Sequence, residues 1–214
     1  MKKAFRQFSR KSRSKRQKTN TEEGPLGERF RRAMACAAKL HATQYRKGTT
    51  RPYMAHLLGV ASIVLTHGGD EDDAIAALLH DAVEDQGGKP ILKKIRREFG
   101  ERVARIVEDC TDADTYPKPP WRERKERYLR QLAGASASSR LVSAADKIYN
   151  AQETLMDARE LGAKIWERFH ATREETLWYY GEVIRILKAE GPRALAMELE
   201  RVVEDLASIS ADES

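Results

Sequence analysis

Cysteine is scarce in this chain: Cys36 and Cys110 are the only two in 214 residues. Two thiols cannot build a disulfide framework or a cysteine-based zinc site. They read as small buried side chains in a reducing, cytoplasmic setting. Long apolar runs are missing too. No stretch reaches the roughly 18 residues that cross a bilayer, so the chain does not read as an integral membrane protein. Neither an alternating strand pattern of useful length nor an internal repeat is present. Apolar residues at 41% and charged residues at 34% exclude a collagenous, mucin-like or wholly disordered chain. The length suits one domain with or without a tail.

Acid is absent from the first twenty residues. They hold nine Lys and Arg, from Lys2 to Lys18. The remaining 194 residues carry 30 basic and 33 acidic side chains, so the net +6 of the whole chain conceals a mildly acidic body. The start lacks the apolar stretch of a secretory signal. An organellar transit peptide or a basic arm for nucleic acid would share its composition. The simplest reading is a solvated, disordered tail over residues 1–23. The domain is expected over 24–210, opening near Gly24-Pro25.

From there the apolar spacing is helical. Phe30, Met34, Ala37, Ala38, His41 and Tyr45 recur at steps of three and four. A second helix is expected from about Tyr53 to His67, closed by Gly68-Gly69. Asp70, with Asp73 three residues on, should cap a third running to about Asp85. Ile91, Ile95 and Phe99 mark a short helix stopped by Gly100, and Val103, Ile106, Val107 and Cys110 the next. The segment 112–120 reads as a loop. Further helices are expected near 121–133, 138–161, 163–170, 172–190 and 193–208. The expected fold is all-α, a bundle of about nine or ten helices.

The chemistry concentrates in His80-Asp81-Ala82-Val83-Glu84-Asp85. Helical steps of four would stack His80 over Glu84 and Asp81 over Asp85, in two outward columns. So many ionisable groups are costly to bury unless they share a cation or a cavity. Imidazole and carboxylate suit a divalent transition metal. One helical turn cannot complete its shell. His56, opening the second helix, and Asp146, set among small apolar residues, are the further candidates. Singly, each has a plainer reading: a hydrogen-bonded core His, and an Asp paired with Lys147 or Lys125.

Three segments raise the odds together. QYRKGTTRPYMAHLLGVA (44–61), AALLHDAVEDQGG (76–88) and SAADKIYNAQ (143–152) resemble, in order, the HD superfamily of metal-dependent phosphohydrolases. Within it they are most similar to the hydrolase domain of RelA/SpoT-type enzymes and the small alarmone hydrolases. The resemblance covers about residues 28–190. It implies that His56, His80, Asp81 and Asp146 hold a divalent metal, usually manganese. It implies that Glu84 and Asp85 activate or aim the attacking water. Arg46 and Lys47 would contact the guanine and phosphate ends of the substrate, and Asn150 the nucleotide. Lys125 and Lys147 would add positive charge; otherwise they are a solvated helix charge and a partner for Asp146. The expected reaction removes pyrophosphate from the 3′ position of guanosine tetra- or pentaphosphate. The chain is too short for a synthetase or regulatory domain, so degradation alone is expected.

Ser143 stands where the family often has Lys, Leu57 where a Pro commonly follows the His, and GTTR (48–51) replaces a shorter link. These departures bear on the substrate more than on the metal. The rival readings are an HD phosphohydrolase of another nucleotide, such as a nucleoside monophosphate or NADPH, a non-catalytic nucleotide-binding module, and a nucleic-acid binder acting through the tail. Tyr53, Trp121, Tyr149 and Trp178–Tyr180 read mostly as core, with Tyr149, beside Asn150, the best exception.

Overall fold

The computed structural model describes residues 24–209 except 114, 116 and 170. The basic tail read from the sequence lies outside them. Among the described residues there are ten α-helices, one 3₁₀ helix and no strand. The only β-type pairing recorded among them is a single bridge between Tyr45 and Pro52. No helix among them is long and apolar enough to cross a membrane.

Helix α1 (Glu28–Leu40) meets the core through Ala33 and Ala37. Met34 and Tyr45, both expected on the apolar face, are 39% and 60% exposed. The helix ends at Leu40, so the chain has turned before Tyr45 and the periodicity no longer applies. α2 (Met54–Thr66) buries His56, Leu57, Val60, Ala61 and Val64. α3 (Glu71–Leu79) begins with the expected Asp70–Asp73 capping box, in which each side chain accepts the other's backbone N–H. Its residues from Asp73 to Leu79 are all buried.

The expected single helix to Asp85 is broken. α3 stops at Leu79, and a separate short helix, α4 (Ala82–Gln86), follows. The His80 ring Nδ1 sits 2.7 Å from the Ala77 carbonyl oxygen, and Asp81 has φ −91° and ψ −4°. A side chain bonding to a helix carbonyl offers the backbone an alternative to continuing the ladder. The break turns His80 inward: it is 2% exposed, not part of an outward column.

α6 (Glu101–Cys110) packs on α3, as do α1 and α2, and α5 (Lys89–Phe99) packs on α6 and α4, to form the first core. α7 (Trp121–Gly134), α9 (Arg173–Glu190) and α10 (Arg193–Ser208) form a second core. α8 (Ala137–Leu161), 25 residues long, stands between them. Its Val142 and Ala145 face the first core; Ala144, Ile148 and Ala151 face the second. The expected helix near 163–170 is a 3₁₀ helix, Gly162–Arg168.

Candidate metal centre and cleft

Three elements bring four side chains together: His56 from α2, His80 and Asp81 from the α3–α4 break, and Asp146 from the middle of α8. His56 Nε2 lies 3.2 Å from His80 Nε2. Asp81 Oδ2 is 3.3 Å from His56 Nε2 and 3.0 Å from His80 Nε2. Asp146 Oδ1 is 3.3 and 3.5 Å from the same two nitrogens.

These spacings suit one ion. Donors bound at about 2.1 Å and at right angles lie about 3.0 Å apart. The tautomer fits as well. A proton on His80 Nδ1, donated to Ala77, leaves the Nε2 lone pair pointing at the other donors. The electrostatics demand positive charge. Burial disfavours a charged His80, yet Asp81 and Asp146 outweigh it and hold its pKa well above the ordinary value. Burial also opposes both carboxylates. The neighbouring His80 and His56 still keep Asp81 well below the usual range, and Lys147 with the two histidines does so for Asp146. Buried Asp146 and half-buried Asp81, with two buried imidazoles, form a set that a divalent cation would satisfy.

Neighbouring groups fix the donors. The Tyr53 hydroxyl donates to Asp81 Oδ2 at 2.7 Å. Asn150 Nδ2 donates to Asp146 Oδ1 at 2.6 Å, and Lys147 pairs with Asp146 Oδ2. The Tyr149 ring meets the His56 ring edge-on, 5.3 Å between centroids. That contact requires residue 59 to be glycine, since a Cβ on Gly59 would overlap the Tyr149 ring. Gly59→Ala is therefore expected to lower the unfolding free energy by about 1–3 kcal/mol, as overpacking does. Adding Tyr149→Ala should recover part of that loss; denaturant titration of both variants checks it.

A cleft of about 470 Å³ opens beside the donors, lined by Arg46, Tyr53, Glu84, Lys125, Lys147 and Asn150, among others. Glu84 Oε1 accepts from Lys118 Nζ at 2.7 Å, and Asp85 Oδ2 accepts from Gln44 Nε2 at 2.8 Å. Burial, then the Asp81 charge, raises the pKa of both carboxyls. Arg46 donates to Asn150 Oδ1 at 2.6 Å and pairs with Glu153 at 2.6 Å. It thus joins the cleft to the group that holds Asp146. Lys47 is exposed at the cleft wall. Lys125 bonds Asp112 at 2.9 Å rather than Asp146. Its pKa is lowered by burial, against the pull of Asp112. Ser143, at the position of the missing cation, is buried and shares a 2.6 Å hydrogen bond with Tyr128.

All the sequence candidates thus lie at the donors or on the cleft, apart from Asp85, which sits one Gln44 hydrogen bond away. Reading the sequence overlooked Gln44, Lys118, Arg51 and Asp112. Arg51 pairs with Asp157 at 2.6 Å and lines the cleft. Gln44 and Arg51 fall inside the first family-like segment, which was the available signal. Lys118 and Asp112 sit in the irregular stretch before α7, where no periodicity marks them.

Comparison with known proteins gives the family of the chain. The HD-domain family model matches residues 33–177. The guanosine-3′,5′-bis(diphosphate) 3′-pyrophosphohydrolase MESH1 of Xenopus tropicalis is 42% identical over 155 residues, 71% of this chain and 80% of that protein. The MESH1 of Homo sapiens is 41% identical over 147 residues, 66% of this chain and 75% of that protein. A solved structure described as "A metazoan ortholog of SpoT hydrolyzes ppGpp and plays a role in starvation responses" superposes with a TM-score of 0.68 at 24% identity. It covers 86% of this chain and 98% of its own. The match to the family over most of the folded chain, on top of converging His56, His80, Asp81 and Asp146, means that this chain belongs to the HD-domain family.

Proposed function

We propose that this protein is a manganese-dependent hydrolase that removes pyrophosphate from the 3′ position of guanosine 3′,5′-bis(diphosphate) and its pentaphosphate form, leaving GDP or GTP. The observation that carries this is the four-donor cluster beside a cation-lined cleft, in a chain 42% identical to a MESH1 hydrolase. We assign the activity to residues 24–210 and a reducing, cytoplasmic compartment, which suits free Cys36 and Cys110.

A divalent ion held by His56, His80, Asp81 and Asp146 would lower the pKa of water and offset phosphate charge. Glu84, on the cleft, would take the proton of the attacking water, and Asp85 would help to position that water. Their raised pKa values make them better proton acceptors than ordinary carboxylates. Lys118 and Gln44 hold these carboxylates in place. Arg46, Lys47, Lys125 and Lys147 supply the positive charge that phosphoryl transfer asks for, and Asn150 orients both Arg46 and Asp146.

Incubation with guanosine tetraphosphate and Mn²⁺ should yield GDP and pyrophosphate in equal amounts, with none when chelator is present. Orthophosphate as the released product would overturn the reading. Arg46→Ala should raise KM about tenfold or more, the loss of one charge-assisted contact. It should leave Mn²⁺ affinity nearly unchanged, by calorimetry. An unaltered KM removes Arg46 as a substrate contact.

A further inference from the structure

A second groove, of about 460 Å³, lies between α5 and α7. Four cations line it: Lys89, Lys93 and Arg96 from α5 and Arg127 from α7. Among the described residues its two acids, Glu108 and Asp112, are already engaged. Glu108 pairs with Arg96 at 3.5 Å, and Arg96 also pairs with Glu101 at 2.8 Å. One oxygen of the Asp112 carboxylate pairs with Arg124 and Lys125. The Asp112 backbone carbonyl accepts from Arg127 at 2.6 Å, which fixes the guanidinium at the groove wall. Lys93 is exposed and makes no ion pair among the described residues. Gln131 completes the α7 side, bonding the Glu108 and Asp109 carbonyls at 3.1 and 2.8 Å.

A concave site of this size with converging cations recruits anions. We infer that the groove between α5 and α7 binds an anion carrying two or more linked phosphates, at a site separate from the catalytic cleft. Linked phosphates fit better than one because Lys93, Arg96 and Arg127 approach from two helices. Guanidinium forks match phosphate oxygens, and Lys93 adds a point charge. Inorganic pyrophosphate and a nucleoside diphosphate share this chemistry. Asp112 walls both cavities, so an occupant of the groove rests on the residue that holds Lys125. The inference concerns binding and does not depend on the reaction assigned to the cleft.

Hydrogen–deuterium exchange of the full chain with Mg²⁺, in the presence of inorganic pyrophosphate or GDP, tests it. Both α5 (89–96) and the segment 107–113 should gain protection, in addition to the cleft segment 144–150. Lys93→Glu reverses one exposed charge outside the core. It should weaken the protection of 89–96 and 107–113 at least tenfold in ligand concentration, and leave 144–150 as in the wild type. Tighter binding of GDP than of pyrophosphate would name the nucleotide as the source, and equal binding the free anion. Protection confined to the cleft, or unchanged by Lys93→Glu, overturns the site.

Discussion

Replacing His80 with alanine is expected to abolish metal binding and hydrolysis together while leaving a folded chain. His80 Nε2 lies within 3.5 Å of all three other donors, so its loss removes the ring around which the cluster is built. The fold should survive because the two cores pack without it. The readout separates metal loss from misfolding. A ligand present at a hundred times its Kd stabilises the native state by about 2.7 kcal/mol. For a domain of this size that is a rise in Tm of about 5–10 °C on adding Mn²⁺. The wild type should show the rise and lose it with chelator; His80→Ala should show none, with a circular dichroism spectrum like the wild type's. Asp81→Ala should behave alike. A His80→Ala protein that still gains thermal stability from Mn²⁺ would sink the assignment.

Glu84→Gln is expected to divide the two properties. The metal should stay, judged by the same Tm rise, while kcat falls about a hundredfold or more, the scale of general acid–base catalysis. The amide keeps the volume and can still meet Lys118, but it cannot accept a proton. The pH profile adds a second check. Burial, with Asp81 beside it, raises the Glu84 pKa above the ordinary carboxyl range. The active form is the carboxylate, so kcat/KM should fall as pH drops through that raised value. The fall should therefore begin at a higher pH than for an ordinary Glu, near 4.3 or so, and the limb should vanish in Glu84→Gln. Unchanged turnover in that variant would remove Glu84 from the reaction.

The candidate donors are more legible in the sequence than their surroundings. His56, His80, Asp81 and Asp146 were identifiable because each sits among apolar residues, where an ionisable group needs a reason, and because three segments in order resembled one family. The helices were legible from periodicity and from stops such as Gly68-Gly69, Gly100 and Gly162. The α3–α4 break was not. It arises from His80 bonding the Ala77 carbonyl, and no residue between 71 and 85 is a helix breaker. Met34 shares the apolar stripe of α1 yet is exposed, because a 3.6-residue stripe says which residues share a face, not which of two adjacent faces meets the core. Lys118 and Asp112 stayed hidden because irregular backbone has no period from which direction can be inferred. Lys125 is legible as a cation but its partner is not: it pairs with Asp112, a tertiary contact.

The fit of Tyr149 into the space left by Gly59 also constrains how this protein can change over generations. Neither position can drift alone toward a bulkier pair. A side chain at 59 becomes acceptable only after the ring at 149 has shrunk, and a restored ring only after 59 has reverted. Substitutions at the two sites should therefore appear in a fixed order along any lineage, and the pair should show up as correlated columns once many relatives are compared.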